Sequence, residues 1–191
     1  MVTRARYFLV PMLLNAVLFA PAKVLALTWT YVGAACMADD GSADMYQAIA
    51  ARFRHKSTHT GDIFARCNVT NPMDPRGRQS GNPNWDSLEV VYRDPPGAGN
   101  QVTAELVRVS NRSGGIFTLA TFDSNCNDCE ADPDSQTSSV HFIHEFDFDS
   151  YAYYVLIKVA RTDSDPANNP DVSLVRLKST AFGDDVNQEE R

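Results

Sequence analysis

The run His141-Phe142-Ile143-His144-Glu145 holds the residue types of a zinc hydrolase. In such enzymes two histidines at i and i+4 share one helix face and hold the metal, with a glutamate as general base. Here the histidines are three apart, and Val140, Phe142, His144, Phe146 and Phe148 fall on one face of a period-2 strand. Residues three apart on a strand point to opposite faces, so one ion cannot be held by both. The expectation is an exposed His141 beside an outward Glu145, and a half-buried His144. His55 and His59 bracket a tight connection between two strands, across which two imidazoles would meet. No nucleophile or carboxylate stands at a readable spacing from them. No G-x-S-x-G elbow occurs. A triad or a carboxylate pair is set by geometry rather than by order along the chain. A hydrolase with a scattered site therefore stays as the third functional alternative, without a positive signal, and no catalytic residue is assigned.

Two loops are rich in hard oxygen ligands. Asp123, Asn125, Asp128, Glu130, Asp132 and Asp134 make the first, with Asp123, Asp128, Glu130 and Asp132 the candidate calcium ligands. The EF-hand glycine and terminal glutamate are missing, so calcium here means an irregular loop at a sandwich end. Asp163, Asp165, Asn168, Asn169 and Asp171 make the second. Solvated turn acids are the plainer reading of both, and no other cofactor is implied. The C-x-x-C at Cys126-Asn127-Asp128-Cys129 is flanked by acids and turn formers, not by the helix of a redox motif. It has no second cysteine or histidine pair to complete a zinc site. Asn68-Val69-Thr70 and Asn111-Arg112-Ser113 match the glycosylation pattern, with Asn68 inside an expected strand.

The remaining chemistry is aromatic. Tyr154 falls on the outward side of a strand with Leu156 and Lys158, and Trp85 and Tyr92 are further aromatics at or near strand positions. Exposed rings on a sheet face stack against sugar rings, so Tyr154, Trp85 and Tyr92 are the candidate ligand-binding residues. The alternative is that Tyr154 and Leu156 pack under a loop or a second sheet.

The elements that must position these residues are strands. Alternation runs through Ile49–Phe53, Ile63–Val69, Leu88–Tyr92, Val102–Leu106, Val140–Phe148, Tyr151–Val159 and Val172–Leu177, with an apolar, Thr-rich run at Ile116–Phe122. Turn formers separate them, among them Asp94-Pro95-Pro96-Gly97 and Asn111 to Gly115. Before Ile49, Ser42 to about Tyr46 reads as a loop or short helical turn. About eight strands without a helical pattern predict an all-β fold, an antiparallel β-sandwich or jelly roll. The expected division is a signal peptide over 1–26, one sandwich domain over 27–181 and an acidic tail over 182–191.

The signal peptide is read from Arg4 and Arg6, the apolar run Tyr7–Ala22 and the cleavage-like Val24-Leu25-Ala26. Pro11, Asn15 and Pro21 interrupt that run, so it suits a cleaved leader better than a membrane span. The implied location is secreted, extracellular or periplasmic, with no membrane span after cleavage. The four cysteines then read as disulfides. Three pairings exist, and Cys36–Cys67 with Cys126–Cys129 is favoured. The first closes a loop of about 32 residues, worth roughly 3–4 kcal/mol on the chain-entropy model. Without the leader, 14 basic residues stand against 24 acidic ones, a net charge of −10. So acidic a chain repels phosphate backbones, which argues against nucleic acid as a partner.

Ala65-Arg66-Cys67, Ala120-Thr121-Phe122-Asp123-Ser124, Phe146-Asp147-Phe148 and Tyr151-Ala152-Tyr153-Tyr154-Val155 resemble a loose group of uncharacterised secreted bacterial proteins, each a single β-sandwich with an early cysteine and another ending a strand. The resemblance implies export and fold and transfers no catalytic residue. The expected function is non-enzymatic recognition of a glycan or other cell-surface ligand. The alternative is a structural or assembly component of the envelope or of a secreted complex.

Overall fold

The computed structural model describes residues 28–72, 82–96, 99–126 and 132–180, without the side chains of 132 and 133. The leader, the tail, Asp128, Cys129 and Glu130 lie outside the described residues. Among the described residues there are eleven strands: β1 (Trp29–Val32), β2 (Met37–Ala38), β3 (Tyr46–Ile49), β4 (Arg52–His55), β5 (Gly61–Val69), β6 (Ser87–Asp94), β7 (Gln101–Ser110), β8 (Ile116–Asp123), β9 (Asp132–His141), β10 (Tyr151–Arg161) and β11 (Asp171–Lys178). They form two antiparallel sheets. A six-stranded sheet has the order β3-β4-β11-β6-β9, with β1 also on β11, and a five-stranded sheet the order β2-β5-β10-β7-β8. Among the described residues no helix is long and apolar enough to cross a membrane.

The core lies between the sheets. From the five-stranded sheet come Ile63, Ala65, Cys67, Val102, Ala104, Leu106, Val155 and Ile157; Leu88, Val90, Val172, Val175 and Leu177 oppose them. Period-2 alternation produces this: each strand sends every second side chain inward. Lys158 fixes the register of β10. It is half-buried on the outer face, its Nζ donating to Gln101 Oε1 at 2.8 Å, while Val155, Ile157 and Val159 are fully buried.

The chain crosses between sheets early. After β1, a 3₁₀ turn over Gly33–Ala35 leads into β2 on the other sheet. Gly33 is buried, and a Cβ there would lie 2.2 Å from the Val172 carbonyl oxygen, so only glycine fits. The next residue but two, Cys36, is bonded to Cys67 on β5, with Cα atoms 4.5 Å apart. This disulfide ties the crossover to the sheet it joins. Cys126 is also disulfide-bonded.

Three sequence expectations change. The run Ile49–Phe53 is not one strand but the turn of the β3–β4 hairpin, where Ala50 and Ala51 take φ of 49° and 70°. That geometry is the one Asn-Gly usually supplies, so two alanines hide it. The strand expected to continue to Phe148 ends at His141, and Phe142–Ser150 is an irregular connection to β10. Its phenylalanines still turn inward: Phe146 is fully buried, with its ring centroid 4.9 Å from that of Tyr153. Finally, eleven strands replace about eight, because β1 to β4 are two to four residues long.

Candidate functional site

The outer face of the five-stranded sheet is built by the residues that alternation turns away from the core. On β10, between β5 and β7, Tyr154 lies opposite Asn68 and Val107, Leu156 opposite Arg66 and Glu105, and Lys158 opposite Phe64 and Thr103. Tyr154 and Leu156 are half-buried, on the side of the sheet away from the core.

One flank of Tyr154 is polar. The Arg66 guanidinium lies 6.0 Å from its ring centroid and pairs with Asp39 at 2.8 Å, with side-chain exposures of 51% and 29%. Beyond them a shallow cleft of about 360 Å³ is lined by Met37, Ala38, Asp39, Asp40, Arg66 and Asn68. The cleft shares Arg66 and Asn68 with the surroundings of Tyr154. It therefore joins an aromatic ring, carboxylate acceptors and guanidinium and amide donors within one surface. Carboxylates accept hydroxyl hydrogens, Arg and Asn donate to hydroxyl oxygens, and a ring covers an apolar C–H face.

Of the three candidate aromatics, only Tyr154 reaches this face. Trp85 and Tyr92 are each 2% exposed, inside the core. Trp85 meets Phe146 edge-on at 5.0 Å, and Tyr92 leans on Phe122 at 4.9 Å while its hydroxyl donates to Gln136 at 3.0 Å. Tyr92 shares the inward period of Leu88 and Val90, which is why it is in the core. Neither ring presents a face to a ligand.

Among the calcium candidates, Asp123 accepts from the Gln101 amide at 2.9 and 3.0 Å and from the Asn125 backbone at 3.0 Å. Asp132 is the first residue of β9, opposite Asp94, rather than part of a loop. Among the described residues no three His, Cys, Asp or Glu converge on one point. The second acidic loop is built from internal bonds: Asp163 accepts from the Asp165 backbone at 2.8 Å and the Asn168 amide at 2.7 Å, and Asp165 caps a 3₁₀ turn through Ala167 N.

His141 and His144 separate as expected. His141 is exposed, and His144 is half-buried with Nε2 3.1 Å from the Tyr153 hydroxyl. Burial, helped by Arg108, holds the His144 pKa below its ordinary value, with Glu145 opposing. His55 is fully buried with Nε2 3.0 Å from the Gly61 carbonyl, whereas His59 is exposed, so the two do not form a pair. Burial also holds His55 down, against its bond to Gly61. A buried acid that sequence reasoning passed over is Asp94, whose carboxyl burial pushes up while a Ser124 hydrogen bond opposes.

The residues missed at the outer face are Met37, Asp39, Asp40, Arg66 and Asn68. Alternation with Ile63, Ala65 and Cys67 already turned Arg66 and Asn68 outward. Nothing in the sequence said that β5 is the neighbour of β10.

No family model matches this chain, and no curated protein matches it. Several solved structures are similar. A xylan-binding module is 12% identical with a TM-score of 0.44, over 81% of this chain and 97% of that one. Carbohydrate-binding modules from the β-sandwich superfamily are 8% identical with a TM-score of 0.39, over 67% of this chain and 44% of that one. A family two carbohydrate esterase from Cellvibrio japonicus is 8% identical with a TM-score of 0.37, over 81% of this chain and 34% of that one. This chain thus spans less than half the length of the last two. Identities and scores this low leave function to be read from the geometry of the site.

Proposed function

We propose that this is a secreted, non-catalytic recognition module that binds a glycan on the outer face of its five-stranded sheet. The observation that carries the reading is Tyr154 on that face, with the Arg66 guanidinium 6.0 Å from its ring, at the edge of a cleft lined by Asp39, Asp40 and Asn68. Ring and polar rim together suit a pyranose: the ring takes the C–H face, the rim takes the hydroxyls. The Cys36–Cys67 disulfide and the leader-like N-terminus suit an oxidising compartment, where such ligands are met. An open cleft also suits binding better than chemistry, which profits from excluding water.

The test is a glycan array on the mature domain, followed by calorimetry on the best neutral ligand. Tyr154→Ala should weaken that ligand by about ten-fold or more, the scale of losing one stacking aromatic anchor. Asp39→Asn and Arg66→Gln should each weaken it several-fold. No array signal, or full affinity in Tyr154→Ala, would overturn the reading in favour of a structural or assembly role.

A further inference from the structure

A different cluster lies on the inner side of the same sheet, where Arg108 on β7 stands beside Tyr153 on β10 and Phe117 on β8. Its guanidinium carbon is 4.9 Å from the Phe117 ring centroid and 4.8 Å from that of Tyr151. Its Nε is shielded from solvent and has no hydrogen-bond partner. Among the described residues no carboxylate reaches it within ion-pair distance. Arg52, Arg66, Arg93 and Arg176 each reach a carboxylate, and Arg161 donates to the carbonyls of Ser57 and His59. In a chain with 24 acids and 17 bases, an arginine left against two rings without an acid needs another explanation.

The surroundings supply one. Phe117 is 51% exposed, so the cluster opens to solvent. Tyr151 also lines a recess of about 490 Å³ with Ser110, Asn111, Arg112, Asp149 and Ser150. Asp147, nearby in sequence, is folded back on its own turn, accepting from the backbone of Asp149 at 3.0 Å and of Ser150 at 3.1 Å. A guanidinium packed on rings with its Nε shielded keeps the edge between its two Nη groups, which fits a carboxylate bidentately. The rings also restrict its rotamers before any ligand arrives, which lowers the entropy lost on binding.

We infer that Arg108, with Phe117 and Tyr151, receives the carboxylate of an acidic sugar residue, a uronate, whose ring lies in the recess beside Ser110 and Asn111. The choice of a sugar over another carboxylate rests on the glycan reading above and on the hydroxyl and amide groups that line the recess. This site is separate from Tyr154, which points to the opposite face of the sheet.

The test uses the mature domain and three probes: a trimer of galacturonate, the same trimer as its methyl ester, and acetate. Calorimetry or amide shift perturbation should show the free-acid trimer binding about ten- to a hundred-fold more tightly than the ester, the range for charge-assisted hydrogen bonds. Arg108→Gln should lose that difference, and Arg108→Lys should keep only part of it, because ammonium lacks the planar fork. Phe117→Ala truncates a half-exposed ring, so it folds even where Arg108→Gln does not, and it should weaken the acid several-fold. Tyr154→Ala should leave the acid unchanged, which separates failure of this site from failure of the outer-face site. Equal binding of acid and ester, unaltered binding in Phe117→Ala, no binding of the trimer, or acetate binding as tightly as the trimer would each overturn the assignment.

Discussion

Ile157→Ala is the sharpest test of the β10 register and therefore of which face is free. Ile157 is fully buried, and its cross-strand neighbours on either side are Ala65 and Ala104, also fully buried. The substitution removes three carbons, a transfer loss of about 2.4 kcal/mol at ~0.8 kcal/mol per buried methylene. Two flanking alanines have no side chain long enough to swing into the gap. The cavity then persists and adds about 1–2 kcal/mol. The expected total, about 4 kcal/mol, is a large part of the roughly 5–15 kcal/mol that a domain has. Tyr154→Ala, on the half-buried outer side, should cost about 1 kcal/mol or less. Urea unfolding of the oxidised protein, followed by fluorescence and circular dichroism, reads both from the shift in midpoint at constant slope. If Tyr154→Ala destabilises as much as Ile157→Ala, then Tyr154 is a core residue and the outer face has no ring to offer.

Gly33→Ala should cost about 3 kcal/mol, the upper end of overpacking, because its new Cβ would meet the backbone carbonyl of Val172 rather than a flexible side chain; a thermal melt unchanged from wild type would contradict the close approach. Stability should also fall with acid through the histidines. His55 and His144 are both held below 6.5 in the folded state, chiefly by burial, so between 6.5 and their lowered values the unfolded chain binds more protons and is favoured. The loss should begin as pH falls through about 6.5 and stop once the folded pKa values are passed. Urea midpoints that stay flat from about pH 7.5 to 5, or that rise on acidification, would refute it.

Much of the fold is legible because burial on one side of a sheet writes itself as period 2. The same rule that turned Val155 and Ile157 inward turned Tyr154 and Lys158 outward, and Lys158 settles the register because a lone ammonium is costly to bury. Tyr92 shows the rule was stronger than the chemistry read from residue type: its place beside Leu88 and Val90 put it in the core, whatever a tyrosine can do on a surface. The β3–β4 hairpin was hidden because alanines stand where positive φ usually calls for glycine or asparagine. The end of β9 was hidden because the phenylalanines after it stay inward without a strand. The site was less legible than the fold. Arg66 and Asn68 read only as outward residues until strand order places them beside Tyr154, and Asp39 comes from a connection after a two-residue strand. Arg108 is set half-buried against rings by pairings on both sides of β7, which no local pattern reveals.

The two outer faces differ in a way that bears on which one suits the proposed ligand. On the six-stranded sheet the charges answer one another. Glu89, 6% exposed, holds Arg176 at 2.8 Å and Lys178 at 2.6 Å. Asp171, fully buried, lies 3.3 Å from Arg52 and 3.4 Å from Arg93; burial pushes its carboxyl up, against the pull of these guanidiniums and of Arg54. A ligand on that face would have to break pairs already made, leaving a buried acid uncompensated, which is strongly unfavourable. On the five-stranded sheet the centre holds the half-buried Tyr154 and Leu156 beside a buried Val107, and the Arg66–Asp39 pair next to them is partly solvated. Solvated rim charges exchange water for ligand at little cost, and an apolar centre gains by being covered. The difference makes the face around Tyr154 the one on which a ligand adds contacts without removing any that hold the sandwich together.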